Sequence, residues 1–222
     1  MELRDSTFTS NTGTAVGDIF GTVTLTRLTF RDNIAKDGIF AGADVCAWLD
    51  RATVSECRFS NSRGGTGDSK HSGAVMVKGG ASIRFLDSVF EDAYAEGDGG
   101  SVAVIGGSNA EFIRTTFRRS EAARYGGIAA IKEESTALFQ QCELSEGVAS
   151  HAGGIYITKG SVVNITRCTL AYCHSHTIPG EAGAIAAYGD AFIQDSVFEH
   201  NQADGQAGDL LVRTGGHIEV VR

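Results

Sequence analysis

A repeated unit runs along the whole chain and constrains the fold more than any other feature. One marker is a phenylalanine or leucine that returns every 22 to 31 residues, most often after about 27. It occurs at Phe8, Phe30, Phe59, Phe90, Phe117, Leu144, Leu170 and Phe198. A second marker, a glycine ahead of an apolar run, has the same period. It occurs at Gly17, Gly38, Gly73, Gly100, Gly127, Gly154, Gly183 and Gly208. Two independent markers with one period indicate a repeat protein.

Each repeat contains three short apolar runs separated by turns, as in residues 74–77, 83–85 and 88–90. In the second and third runs, apolar or small residues alternate with polar ones, which is typical of β-strands. Three short strands per repeat predict an all-β parallel β-helix, with like residues stacked in successive coils. We therefore expect one solenoid domain over residues 1–222, with about eight coils.

The composition agrees with this fold and excludes other classes. The chain has 29 glycines, one proline and 42% hydrophobic residues, which excludes collagen and low-complexity disorder. No apolar stretch reaches the roughly 18–20 residues of a membrane-spanning helix, so we expect a chain that is not transmembrane. The formal charge of −8 argues against a nucleic-acid partner. Met1 is not followed by the basic and then apolar segments of a signal peptide. The sequence therefore leaves the cellular compartment unknown.

The repeats also carry two short motifs. The pattern FxxN is complete at residues 8–11, 30–33 and 198–201, and GGA[ILV] is approximated at 72–75, 99–102, 153–155 and 182–185. These motifs resemble the repeats of the chlamydial polymorphic membrane proteins, and the resemblance covers nearly the whole chain. It implies a right-handed β-helix of the pectate-lyase-like superfamily, displayed on a cell surface or outside the cell and used in adhesion. In the other five repeats the asparagine of FxxN is replaced, and the residues at its position are Ser62, Ala93, Ser120, Gly147 and Cys173.

Neither end of the sequence shows the polar cap that repeat arrays normally carry. The first marker is Phe8, and residues 218–221 form an apolar run at the end of the sequence. We expect a segment of a longer protein or a subunit of an assembly, with end-to-end contacts through uncapped coils.

Two enlarged loops predict a ligand-binding corner. Between the phenylalanine marker and the next glycine, most coils use about ten residues, but coil 3 uses 14 and coil 7 uses 13. The predicted ligand-binding residues are Tyr94, Asp98, Arg124, Tyr125, His151, His176 and Glu181. The same corner holds Asp68, Lys70, His71, Glu96, Arg118 and His174. Rings beside carboxylates and an arginine suit a glycan, and the alternative is ordinary polar loop residues.

An enzyme would use the same corner differently. Glu96 and Asp98 are the candidate pair for glycoside hydrolysis, and Arg124 is the candidate base of a polysaccharide lyase. A lyase of this fold would need a Ca²⁺ cluster of carboxylates, but the sequence stacks no three acids at one coil position. We therefore expect no cofactor, and Ca²⁺ belongs only to the enzyme alternative.

The cysteines and histidines invite a metal or disulfide interpretation. Residues 173–176, with His151 one coil earlier, contain zinc-type ligands, but Cys173 occupies the inward asparagine position, so we expect no metal. Cys142 and Cys168 share one position in adjacent coils, where packed thiols are favoured over a strained disulfide. Cys46 lies in an enlarged coil and is expected to be exposed.

The last candidate feature is an interrupted row of basic residues along the solenoid. Lys78, Lys132, Lys159 and Arg213 each lie five residues after a glycine marker, where they face an acidic partner or solvent. The favoured function is a non-enzymatic surface, adhesion or assembly module that presents its faces to a protein or glycan. The alternative is a carbohydrate-active enzyme, namely a polysaccharide lyase, glycoside hydrolase or epimerase.

Overall fold

The chain folds as a parallel β-solenoid. A computed structural model describes residues 1–19, 21–35, 42–48, 51–64, 71–177 and 180–222. These residues form 30 short strands and no helix. Each strand pairs in parallel with its counterpart one coil away, which produces four sheets that run along the solenoid.

The sheets are numbered here in the order in which a coil passes through them. Sheet 1 contains β1 (Glu2–Arg4), β4 (Val23–Thr26), β7 (Arg51–Ser55), β10 (Ser82–Leu86), β14 (Asn109–Ile113), β18 (Thr136–Gln140), β22 (Val162–Thr166), β26 (Asp190–Gln194) and β30 (His217–Val221). Sheet 2 contains β2 (Thr7–Thr9), β5 (Thr29–Arg31), β8 (Arg58–Ser60), β11 (Val89–Glu91), β15 (Thr116–Arg118), β19 (Glu143–Ser145), β23 (Thr169–Ala171) and β27 (Val197–Glu199). Sheet 3 contains β12 (Tyr94–Ala95), β16 (Glu121–Ala122), β20 (Val148–Ala149), β24 (His174–Ser175) and β28 (Gln202–Ala203). Sheet 4 contains β3 (Val16–Ile19), β6 (Val45–Trp48), β9 (Val75–Lys78), β13 (Val102–Val104), β17 (Ala129–Ile131), β21 (Ile155–Ile157), β25 (Ile185–Ala187) and β29 (Leu210–Val212).

The predicted solenoid is confirmed. Sheet 2 stacks eight described strands, which corresponds to seven full turns and agrees with the prediction of about eight coils. The three predicted strands of each coil lie in sheets 1, 2 and 4. Sheet 3 was not predicted, because its strands have two residues each and are too short to show an alternating pattern.

The phenylalanine marker forms the predicted internal ladder. Phe30 stacks on Phe59 with ring centroids 4.9 Å apart, and Phe59 stacks on Phe90 at 4.4 Å. A second ladder, which the sequence analysis missed, joins Phe85, Phe112 and Phe139. The two ladders meet edge to face, an arrangement that adds about 0.5–1.5 kcal/mol per aromatic pair beyond burial.

The corner between sheets 1 and 2 is built by a non-glycine residue in the left-handed region of every described coil, such as Asp87 (φ 49°). Except at Leu28, the next residue is a serine, threonine or cysteine whose side chain donates to the carbonyl two residues earlier. Ser88 Oγ donates to the carbonyl of Leu86 and accepts the amide of Cys57 in the preceding coil. Cys142 and Cys168 occupy the same row, and all five cysteines are free and buried. The predicted thiol packing is therefore confirmed.

Cys46 corrects one expectation, because it is fully buried rather than exposed. It faces outward from β6, where Met76 and Ile105 cover it. An outward position is therefore not equivalent to an exposed one on this side of the solenoid.

The glycine markers that precede the strands of sheet 4 form a row along the solenoid, called the glycine row. Glycine is required there because the stacked coils approach each other closely. A Cβ atom at Gly100 would lie 2.0 Å from the carbonyl oxygen of Gly127. The register corrects one marker, because Ala129 pairs with Ile155 and so Gly127 aligns with Gly153 rather than Gly154. Gly17 lies within β3, outside the row, and Gly38 lies outside the described residues.

Candidate functional site

Two rows of side chains border the outer face of sheet 4. The residues two positions before each row glycine form one border, and they are His71, Asp98, Tyr125, His151, Glu181 and Gln206. The residues at the other end of each strand form the second border, and they are Trp48, Lys78, Ile105, Lys132, Thr158, Tyr188 and Arg213. Between the borders lie Cys46, Met76, Ala103, Ala130, Tyr156, Ala186 and Leu211. These three rows are called the sheet 4 face below.

The middle row is covered although it points away from the solenoid core. Ala103, Ala130 and Ala186 are fully buried, and Met76 is 3% exposed. Outward side chains of a strand normally face solvent. Small residues in the middle therefore allow the larger side chains of the two borders to close over them, which gives this side of the solenoid a second, external layer of packing.

Asp98 is the most buried charged group of the face, with a side chain that is 0% exposed. Lys132 Nζ donates to its Oδ2 at 2.6 Å, and His71 Nδ1 approaches the same oxygen at 3.1 Å without hydrogen-bond geometry. Arg124 Nη2 lies 3.3 Å from Oδ1. Burial acts to raise the pKa of Asp98, but the contacts with His71 and Lys132 outweigh it and hold this pKa below its usual value. Asp98 is therefore a carboxylate at neutral pH.

An aromatic group continues the face from Asp98. The ring of Tyr125 lies 4.6 Å from that of His151 and 4.5 Å from that of Tyr156, and Tyr156 lies 5.6 Å from Tyr188. Burial raises the pKa of Tyr156, so its hydroxyl stays protonated. Tyr125, His151 and Tyr188 are half-buried, which leaves part of each ring accessible from solvent.

Glu181 closes the far end of the face and is 4% exposed. The hydroxyl of Tyr188 donates to its Oε1 at 2.6 Å, and Arg213 Nη2 lies 3.4 Å from the same oxygen. Its Oε2 is buried and has no hydrogen-bond partner among the described residues. Each buried carboxylate of the face is thus held by a cation from the opposite border.

The structure brings together five of the seven predicted ligand-binding residues, namely Asp98, Arg124, Tyr125, His151 and Glu181. The remaining two lie elsewhere. Tyr94 belongs to β12 of sheet 3, where Arg63 lies 5.8 Å above its ring, and His176 is exposed after β24.

Other residues of the predicted corner also separate. His174 pairs with Asp204 at 2.9 Å, and Arg118 binds Glu91 on sheet 2. Glu96 is half-buried, and its side chain forms no hydrogen bond or ion pair with another described residue. Asp68 and Lys70 lie outside the described residues.

Four residues of this site were not predicted to belong to it: Tyr156, Tyr188, Lys132 and Arg213. Tyr156 could have been found, because it is an aromatic residue at a position where three other coils have alanine. The basic row also needs one correction, since the register places Thr158 rather than Lys159 in it.

The described residues give no support to the zinc interpretation of residues 173–176 and His151. Nowhere in these ranges do three or more histidine, cysteine or acidic side chains converge. Cys173 is fully buried, and burial raises its pKa to about 12, which disfavours the thiolate that zinc requires. Within the same ranges, no helix is long and apolar enough to cross a membrane.

The comparisons with known proteins agree with the fold. Residues 45–222 match the model of a family described as right handed beta helix region. Searches of curated proteins and of solved structures gave no match. The matched range includes the sheet 4 face from Cys46 to Arg213. The chain belongs to the right-handed β-helix family.

Proposed function

We propose that the chain is a non-enzymatic binding module whose sheet 4 face holds a glycan. The observation that carries this proposal is the engagement of both buried carboxylates by cations, Asp98 by Lys132 and Glu181 by Arg213. What remains accessible is a series of partly exposed rings. Such rings, with a few fixed polar groups beside them, suit stacking against sugar faces.

The charge of the face favours glycans with acidic groups. Its two borders carry Lys78, Lys132 and Arg213 against two carboxylates, and Arg124 adds a further cation next to Tyr125. The chain as a whole has a formal charge of −8. A local positive excess on an acidic protein concentrates anionic ligands at that place, and this attraction weakens with salt.

The resemblance to the chlamydial polymorphic membrane proteins supports a role at the cell surface. We therefore place the binding in adhesion or surface assembly, with the chain displayed outside the cell. A protein partner on the same face is the competing outcome, and a glycan array distinguishes the two.

The enzyme alternative has less support from the geometry. A glycosidase needs one carboxyl group with a raised pKa to protonate the leaving group. The pKa of Asp98 is lowered instead, and Lys132, His71 and Arg124 surround it. Glu96 would therefore be the one remaining carboxyl group of the candidate glycosidase pair. Arg124, the candidate base of a lyase, already contacts Asp98.

A polysaccharide array with neutral and acidic members tests the proposal. Tyr125→Ala should weaken retention by about tenfold, as expected for loss of a central aromatic contact. The matched control is Tyr172→Ala, since Tyr172 is 57% exposed on another side of the solenoid. Equal retention of Tyr125→Ala and wild type would remove the proposal. Release of reducing ends or unsaturated uronates with Ca²⁺ present would establish the enzyme alternative.

A further inference from the structure

A shallow depression lies on the outer face of sheet 1, away from the sheet 4 face. Its volume is about 270 Å³, and it is lined mainly by side chains of β22, β26 and β30. The lining side chains that point outward are Asn164, Thr166, Phe192, Gln194, Glu219 and Val221. This volume lies just below the roughly 300–1,000 Å³ of drug-sized ligand pockets, which fits one compact unit rather than a large molecule.

Phe192 occupies the centre of the depression. Its side chain is 39% exposed, and the register places Asn164 and Glu219 directly beside it on the two neighbouring strands. Adjacent strands lie about 4.8 Å apart, so both polar side chains reach a molecule that rests on the ring. The arrangement therefore offers one apolar platform between a carboxamide and a carboxylate.

The polar groups around the ring are available to a ligand. Asn164, Thr166 and Glu219 form no side-chain hydrogen bond or ion pair with other described residues. Gln194 uses its Nε2 in a 3.3 Å contact with Asp195 and keeps its carbonyl oxygen. Amide and carboxylate groups beside an exposed ring match a ligand with an apolar face and a rim of hydroxyl groups.

The charge of the lining selects a ligand type different from that of the sheet 4 face. Glu219 is the charged residue among the lining side chains, and no lysine or arginine lines the depression. An anionic ligand would be repelled, whereas hydroxyl groups can donate to Glu219 and Gln194 and accept from Asn164.

We propose that this depression binds a neutral sugar unit, stacked on Phe192 and held by Asn164, Gln194 and Glu219. The site is independent of the sheet 4 face and does not rest on the function proposed above. It gives the solenoid a second carbohydrate contact on a different side.

The test is an NMR titration of the whole ¹⁵N-labelled chain with cellohexaose, maltohexaose and mannohexaose. At least one of these neutral oligosaccharides should shift the amides of Asn164, Phe192 and Gln194. Phe192→Ala should weaken that binding about tenfold. Gln194→Ala changes an exposed side chain, so it should fold as the wild type does and weaken binding by a smaller factor. Tyr172→Ala is the matched aromatic control and should bind as wild type does.

Either of two results overturns the proposal. One is the absence of shifts in β22 and β26 with all three oligosaccharides, and the other is unchanged affinity in Phe192→Ala. Tyr125→Ala separates the two sites, because it removes the proposed glycan contact of the sheet 4 face and should leave the response at Phe192 intact. Failure at one face is therefore distinguishable from failure at the other.

Discussion

Lys132 and Asp98 are 34 positions apart in the chain, yet Lys132 Nζ lies 2.6 Å from Asp98 Oδ2 across the outer face of sheet 4. The contact joins the end of one strand to the start of the strand in the preceding coil. It therefore links the two borders of the face over the buried alanines between them. Because Asp98 is fully buried, its charge depends on Lys132 together with His71 and Arg124.

Replacing Lys132 with methionine should destabilise the chain by about 3 kcal/mol, because it leaves a buried carboxylate with weaker partners. The same substitution in an Asp98→Asn background should cost less than about 1 kcal/mol, since no buried charge remains. The free energy of unfolding from urea titrations measures both effects. Lys159→Met is the matched control and should change stability by less than about 0.5 kcal/mol, because Lys159 is exposed. Equal costs of Lys132→Met in the two backgrounds would contradict the coupling.

Asp44 predicts a pH dependence of stability. It is fully buried between Asn33 and Ser62, and burial raises its pKa from 3.8 to about 7. Between about pH 4 and pH 7 the unfolded chain has lost this proton while the folded chain keeps it. The free energy of unfolding should therefore fall as the pH rises, by at most about 1.4 kcal/mol per pH unit, and level off above pH 7.

Asp44→Asn serves as the control for this effect. An asparagine can still accept from Asn33 and donate to Ser62, but it does not titrate. Subtracting its urea-unfolding profile from that of the wild type also removes the contribution of the histidines. A difference that does not change between pH 4 and pH 7 would show that Asp44 is not held protonated.

Gly100→Ala should destabilise the chain by about 3 kcal/mol or more, because the new Cβ would lie 2.0 Å from a backbone oxygen that cannot move without its whole coil. Gly17→Ala is the control, since its Cβ would meet no atom nearer than 3.6 Å. Thermal unfolding measures the difference. Similar melting temperatures for the two variants would contradict the close stacking of the glycine row.

The stacked register could be predicted from the sequence because identical constraints recur in every coil. The phenylalanine ladder shows this, since one ring position repeats with the period of the fold. The shift from Gly154 to Gly153 could not be predicted, because one coil is a residue shorter and two adjacent glycines offer two alignments. The repeat period also gives no information about which residues contact each other across a corner. A Cβ at Gly147 would lie 2.3 Å from the carbonyl oxygen of Gly153 and 2.7 Å from Ile128 Cγ1, so glycine is needed there because of contacts that cross the corner.

The candidate site was predicted only in part for a related reason. Loop lengths located the border that contains Asp98, Tyr125 and Glu181, because those residues lie in the loops. The opposite border lies at strand ends, and its contact with the first border depends on side chains that reach across a strand. The sequence therefore predicts Lys132 only as part of a basic row that faces an acidic partner or solvent, whereas the structure pairs it with Asp98.

The five cysteines should be unreactive in the folded chain. All five side chains are at most 4% exposed, which keeps reagents away from them. Burial also raises the pKa of Cys57 and raises that of Cys173 to about 12. The hydrogen bond with Cys142 lowers the pKa of Cys168, so its protection depends on burial alone. Ellman's reagent at pH 8 should therefore titrate no thiol in the native protein and all five in guanidinium chloride. An exposed thiol introduced by Ser6→Cys should react at once. Rapid reaction of a native thiol would contradict the burial of that residue.

The most direct measurement follows the sheet 4 face while a ligand binds. A polysaccharide retained on the array is titrated into the ¹⁵N-labelled chain, and the products are analysed in the same sample. We expect shifts at Tyr125, His151 and Tyr188, loss of those shifts in Tyr125→Ala, and a polysaccharide of unchanged length. Binding that leaves these three residues unperturbed, or cleavage of the polysaccharide, would contradict a non-enzymatic glycan-binding face.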